Sequence, residues 1–183
     1  MPMTRLIFDI EANGLNEIIS GKKDSYLKEA TKIWCLSIFN IDTKETLLFE
    51  QDNLAEGIQM LRDADLIVGH NIYGYDIPLI ERLYGSLDKL PYTGVIDTLI
   101  LSRMMYGDAP PTPEQSHSLQ AWGKFLCKEK INYQGTWDSY SKEMGIYCIQ
   151  DSVVNYEIFK YLTAKGYWTE YSRAIRMEHV VAD

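Results

Sequence analysis

Asp9 and Glu11 stand two residues apart in a strand-like run near the N-terminus, and Tyr147 and Asp151 stand four apart in a long helix-patterned segment far along the chain. Residues i and i+2 share one face of a strand, and i and i+4 share one face of a helix. Each pair therefore aims two polar groups the same way. At about 100° per residue, Met144, Ile158 and Leu162 fall on the Asp151 face, so this acid sits in the middle of an apolar stripe. An unpaired buried carboxylate is costly, and Asp9 and Glu11 are the obvious groups with which it would share a cation. Asp76, at a helix entrance, is a fourth acid in a telling position. Hard divalent cations take oxygen ligands, and Mg²⁺ uses one or two carboxylates per ion while keeping places for water and substrate phosphate. Two such ions about 3.5–4 Å apart stabilise the attacking and leaving oxygens of an in-line phosphodiester displacement. Plainer readings stand beside this one: Asp76 as a helix cap, and Asp9 with Glu11 as an ion-paired strand end. Glu29, Glu81 and Asp63 lie in polar contexts and read as solvated.

The elements that must position these groups follow from hydrophobic periodicity. Thr4 to Glu11 alternates, with Leu6, Phe8 and Ile10 facing one way and Ile7, Asp9 and Glu11 the other; its near-continuous apolar character marks a central strand. Asn13-Gly14 turns the chain out of it. Residues 16 to 31 are polar and read as an exposed loop with room for a short helix; Gly21 with Lys22 and Lys23 lacks the spacing of a phosphate-binding loop. Ile33 to Phe39 and Thr46 to Phe49 form two more strands in a hairpin, giving an antiparallel unit of three. Asn53 is placed to cap a helix carrying Leu54, Ile58 and Leu61. Leu66 to Gly69 is a short strand, His70 to Asp76 a loop, and Pro78 sits in the first turn of a helix ending near Tyr84. Val95-Ile96 is a fifth strand, followed by a helix from Asp97 to Tyr106. Gly107 to Pro113 forms a stiff loop before a helix from Ser116 to Leu126. The segment bearing Tyr147 and Asp151 opens at Asp138 or Ser139 and stops near Gly166, with a last helix from about Thr169. The order predicts an α/β fold: a mixed five-stranded sheet flanked by helices, compatible with a ribonuclease-H-like sheet.

The 183 residues, 46% hydrophobic and 24% charged, suit one domain with a full core. No apolar run reaches the length of a membrane span and no signal-peptide pattern is present, so a cytoplasmic protein with no membrane partner is expected. Cys35, Cys127 and Cys148 are odd in number and show no metal-binding spacing, which argues against disulfides or a zinc site; they read as ordinary buried or half-buried thiols. A net charge of −8 lacks the basic surface of most nucleic-acid binders. It excludes little, because carboxylates gathered around divalent cations enter the formal count while the ions do not.

Three stretches together resemble the exonuclease motifs of the DEDD superfamily of 3′–5′ exonucleases: Phe8-Asp9-Ile10-Glu11-Ala12-Asn13-Gly14-Leu15, His70-Asn71 through Tyr75-Asp76, and Tyr147 to Asp151. Tyrosine in the third motif is similar to the branch with Tyr, not His, at that position. Two auxiliary blocks, Ile96 to Arg103 and Ser116 to Gly123, resemble the proofreading domains of bacteriophage family A DNA polymerases of the T-odd type, and the likeness covers residues 5 to 181.

The resemblance implies a two-metal 3′–5′ exonuclease that uses Mg²⁺, with Mn²⁺ an alternative, and releases 5′-mononucleotides from the 3′ end of single-stranded DNA. It implies that Asp9, Glu11 and Asp151 hold the ion that activates water, that Asp9 also bridges to a second ion held by Asp76, and that Tyr147 orients the attacking water. Leu15 matches a residue that wedges against the terminal bases, and Asn71 one that contacts the terminal nucleotide. Ala12, beside the motif acids, and His117, in the second auxiliary block, are further candidates for substrate contact; a histidine at a helix entry also has a structural reading. Tyr133 and Trp137 either touch the strand or cover the core. The partner implied is a DNA polymerase, in cis or as a separate subunit, inside a bacterial host if the protein is phage-encoded. Arg176 to Asp183 resembles the start of the helix leading into such a polymerase domain, so residues 1–183 are expected to be a single exonuclease domain, with about 169–183 beginning that connection. Two alternatives remain: the same site acting on RNA or short oligonucleotides, and an inactive exonuclease-like scaffold or single-strand binder.

Overall fold

The computed structural model describes residues 3–13, 30–89, 94–128 and 131–164. Leu15, the polar stretch 16–29 and the segment from residue 165 onward, including the expected last helix, lie outside the described residues. The elements run β1 (Arg5–Ala12), β2 (Ile33–Asn40), β3 (Thr46–Glu50), α1 (Leu54–Asp63), β4 (Leu66–Gly69), α2 (Asp76–Tyr84), β5 (Val95–Asp97), α3 (Thr98–Tyr106), α4 (Leu119–Phe125) and α5 (Lys142–Ala164). The sheet order is β3-β2-β1-β4-β5, with β1 central. β1, β2 and β3 pair antiparallel, whereas β4 and β5 add in parallel, so this is the expected mixed five-stranded sheet.

Alternation along β1 divides the core. Leu6, Phe8 and Ile10 join Leu36, Ile38, Phe49 and the apolar faces of α1 and α2. Ile7 belongs to the opposite layer, with Val68, Ile96, Leu101 of α3, Trp122 of α4, and Val154, Ile158 and Leu162 of α5. Asp9 and Glu11 share the Ile7 face by the same alternation, so they point toward the α5 layer.

Several boundaries differ from the periodicity reading, and each difference has a local cause. α5 opens at Lys142, because the Ser141 hydroxyl accepts the Met144 N–H at 3.1 Å and caps the first turn there. α4 begins at Leu119 for the same reason, with Ser118 accepting from Ala121 at 3.2 Å. Asn53 precedes α1 without capping it through its side chain; its Oδ1 accepts the Glu50 N–H at 2.8 Å and closes the turn after β3 instead. Asp97 ends β5 and caps α3 from outside the helix. No helix among the described residues is long and apolar enough to cross a membrane.

Candidate metal centre

The site begins where the central sheet parts. β1 pairs with β4 only from Arg5 to Ile7, opposite Leu66 to Val68, and β4 ends at Gly69. Ile10 lies beyond this ladder, and its N–H is taken by Oδ1 of Asp76 at 3.2 Å. The first residue of α2 thereby sits against the strand carrying Asp9 and Glu11. Asp76 is only 4% exposed, and its carboxyl is pushed well above the usual carboxylate range, first by burial and then by the negative charge of Asp9; the N–H groups of Ile10 and of Asp76 itself oppose the shift. Glu11 is buried and Asp9 half-buried. Parallel α/β sheets commonly bind ligands outside the carboxyl ends of their strands, and these acids stand at that end of β1.

The loop from His70 to Tyr75, which delivers Asp76, is held by Asp97. Its buried carboxylate accepts from Asn71 N at 2.9 Å and Tyr73 N at 3.2 Å as well as from Leu99 N at 2.9 Å. Asn71 is exposed and adopts φ 64°, a left-handed conformation that Asn tolerates. Thr98 Oγ1 lies 2.9 Å from His70 Nδ1, 3.0 Å from Gly69 O and 2.7 Å from Asn155 Oδ1, linking this loop to α5.

α5 is locked over β1 and β2 by small polar groups. Ser37 Oγ donates to Cys148 O at 2.9 Å and is hydrogen-bonded to the Ser152 hydroxyl, while the Cys148 thiol donates to Asp9 O at 3.3 Å. A Cβ on Gly145 would come within 2.8 Å of Leu48 Cδ2 and of the Tyr140 hydroxyl, so glycine lets this end of the helix approach β3. Asp151, 3% exposed, lies three residues past Cys148 and one before Ser152, on the side of α5 that faces the sheet. Met144, Ile158 and Leu162 are at most 1% exposed, as the apolar stripe predicts.

Among the described residues, ligand atoms of Asp9, Glu11 and Cys148 all lie within 4.8 Å of one another. Cys148 is the member that sequence reasoning missed, having set it aside as an ordinary thiol. The signal was its place: three residues before Asp151, it shares that acid's face. Oδ2 of Asp9 and Oδ1 of Asp151 are buried oxygens that accept no hydrogen bond among the described residues, although both residues are otherwise engaged. Such a set, rich in carboxylate oxygens, fits a divalent metal ion.

Tyr147 is half-buried, with its ring centroid 5.6 Å from Tyr133 and 6.0 Å from Trp137. The segment before α5 is anchored in turn by Trp34 Nε1, which donates to Trp137 O at 2.8 Å. Tyr133 and Trp137 thus brace the tyrosine of the third motif.

Two expected substrate contacts have packing partners of their own. Ala12 is 0% exposed and part of the core under α1 and α2. His117 has Nδ1 2.6 Å from Ser102 Oγ and Nε2 2.6 Å from Gly107 O, and the same Ser102 oxygen accepts from Trp122 Nε1 at 3.0 Å. Both ring nitrogens are spent on joining α3 to α4. Cys127, expected to be at least half-buried, is exposed.

No protein-family profile and no curated protein matches the sequence. Solved structures do match the fold. NrnC of Brucella melitensis with bound Mg²⁺ superposes with a TM-score of 0.65 at 14% identity, over 98% of this chain and 84% of that one. The family B DNA polymerase of the archaeon Pyrobaculum calidifontis gives 0.62 at 16% identity over 89% of this chain, and Phi29 DNA polymerase complexed with primer-template DNA and incoming nucleotides gives 0.52 at 15% over 91%. This chain spans 25% of the archaeal polymerase and 32% of the Phi29 enzyme. The shared feature is the ribonuclease-H-like mixed sheet with its flanking helices.

Proposed function

We propose that this chain is a metal-dependent 3′–5′ exonuclease of the DEDD superfamily, in its tyrosine branch, which removes 5′-mononucleotides from single-stranded DNA and proofreads for a DNA polymerase held in cis or as a separate subunit. The observation that carries the reading is the convergence of the three motifs: Asp9 and Glu11 on β1, Asp76 hydrogen-bonded to that strand, and α5 docked through Cys148 onto Asp9. The likeness to part of two DNA polymerases supports a proofreading role, and the resemblance of the two auxiliary blocks to phage family A enzymes narrows the proposal to that kind.

Two bound Mg²⁺ or Mn²⁺ ions would supply a nucleophilic water at neutral pH and neutralise charge on the leaving oxygen. Asp9, Glu11 and Asp151 would hold one ion; Asp9 and Asp76 would hold the other. Tyr147 orients the attacking water through its hydroxyl, its ring kept in place by Tyr133 and Trp137. Asn71, exposed at the loop crest, contacts the 3′-terminal nucleotide, and Leu15 wedges against the terminal bases; apolar contact of this kind tolerates any sequence.

The test is Mg²⁺-dependent shortening of a 5′-labelled single strand, compared with the Asp9→Ala variant. The wild type should produce a ladder of shorter products and the variant none; equal degradation by both would sink the assignment. A second reading keeps the site and changes the substrate to RNA or very short oligonucleotides. It is favoured by the likeness to NrnC, whose structures include one bound to pGG and which this chain matches over most of that chain's length. Matched DNA and RNA oligomers separate the two readings by relative rate.

A further inference from the structure

We propose that Cys148 makes this centre a mixed carboxylate–thiolate site for a thiophilic divalent cation of the Zn²⁺ or Cd²⁺ kind, with Asp9, Glu11 and Cys148 as its ligands. The inference rests on the same site as the nuclease reading and adds a soft donor that hard-ion chemistry does not use.

Two donors on one tetrahedral Zn²⁺ stand about 3.3–3.8 Å apart at ordinary bond lengths. The three donor atoms here all lie within 4.8 Å of one another, so small side-chain adjustments close them on one ion. Cys148 is 0% exposed, with its carbonyl held by Ser37 at 2.9 Å and its sulfur 3.3 Å from Asp9 O, which fixes the thiol at the acids. A second buried thiol, Cys35, lies opposite Glu11 in the β1–β2 ladder. It lies outside the group of three, so Cys148 alone supplies the thiolate. Carboxylate and water suit Mg²⁺, whereas thiolate selects softer ions. Ligation exchanges the thiol proton for the metal, releases that proton to solvent and changes no oxidation state. A cation bound in this way occupies Asp9 and Glu11, and therefore competes with Mg²⁺ at them.

The experiment is a Cd²⁺ titration followed by the ultraviolet thiolate-to-metal charge-transfer band, with exposed Cys127 first replaced by Ser. The Cys127→Ser protein should develop the band to saturation at one equivalent. Adding Cys148→Ala should remove it and weaken Cd²⁺ binding at least ~10-fold, the lower end of what losing even an outer partner of a metal site costs. Adding Cys35→Ala should leave the band in place, and Asp9→Asn should weaken Cd²⁺ binding while the thiolate remains. Circular dichroism screens each variant for folding, and Cys148→Ser replaces Cys148→Ala if the latter fails. No band, a band that survives loss of Cys148, or affinity indifferent to Asp9 would each overturn the proposal. Mg²⁺-dependent strand shortening is assayed on the same preparations; its absence from the wild type would defeat the nuclease reading and leave the Cd²⁺ band to judge the thiolate.

Discussion

The backbone N–H of Ile10 donates to Oδ1 of Asp76 across 3.2 Å, joining two residues 66 positions apart in sequence. This bond replaces the ladder bond that β4 would have made had it continued alongside β1. A buried donor without an acceptor is unfavourable, so the parting of two strands creates a demand that one carboxylate meets. The same geometry sets Asp76 beside Asp9, where their charges repel.

Asp76→Asn separates the two effects, because an amide keeps an oxygen acceptor for Ile10 while removing the charge. The metal-free variant should unfold at a higher temperature than the wild type at neutral pH, whereas Mg²⁺-dependent cleavage should fall about 10²-fold or more, the scale for losing one preorganised electrostatic group. The pH dependence has a fixed sign. Asp76 holds its proton more tightly folded than unfolded, so its stabilising contribution is complete below the unfolded carboxylate value near ~3.9 and is lost as pH rises through the raised folded value. Thermal melts of the metal-free protein across this range should show the wild type losing stability with rising pH more steeply than Asp76→Asn; parallel curves would contradict the assignment.

Asp97 accepts from the backbone N–H groups of Asn71, Tyr73 and Leu99. Asp97→Ala leaves three backbone donors without that acceptor. The expected loss is roughly 1–3 kcal/mol in urea unfolding, because these three bonds are only partly buried and water takes up part of what the donors lose, against about 1–3 kcal/mol for each fully buried unsatisfied group. Amide exchange should accelerate first at Asn71 and Tyr73, and KM for an oligonucleotide should rise, because the loop crest carries Asn71. A variant with wild-type stability and exchange would remove Asp97 from this role.

The faces of β1, the order of strands and the apolar stripe of α5 were legible in sequence because they depend on periodicity. Leu6, Phe8 and Ile10 separate from Ile7, Asp9 and Glu11 by alternation alone. The site was legible as a set of acids, but its wiring was not. Nothing local says that Asp97 serves a loop more than twenty residues earlier, or that Ser37 on β2 holds the backbone of Cys148. Those bonds depend on register and on where β4 stops pairing, which are properties of the assembled sheet. Helix starts were misplaced where one serine competed with another: Ser139 and Ser141 are equal as caps on paper, and Trp34 holding Trp137 keeps the earlier residues outside the helix. Nor does anything local say that His117 bonds Ser102 and Gly107, or that Ala12 packs in the core under α1 and α2.

Tyr147→Phe tests the division of labour on α5. Phenylalanine keeps the ring that packs 5.6 Å from Tyr133 and 6.0 Å from Trp137, so helix position and the fold should be unaffected. Only the hydroxyl is lost, and with it the orientation of the attacking water. Misplacing a reacting group costs up to about 10²-fold in rate, so kcat should fall on that scale while KM and the calorimetric affinity for Mn²⁺ stay within experimental error. Tyr133→Ala and Trp137→Ala, which remove the bracing rings and keep the hydroxyl, should produce smaller losses of kcat with the same unchanged metal affinity. If Mn²⁺ binding collapses in Tyr147→Phe, the phenol belongs to the metal centre and Asp151 does not hold that ion without it.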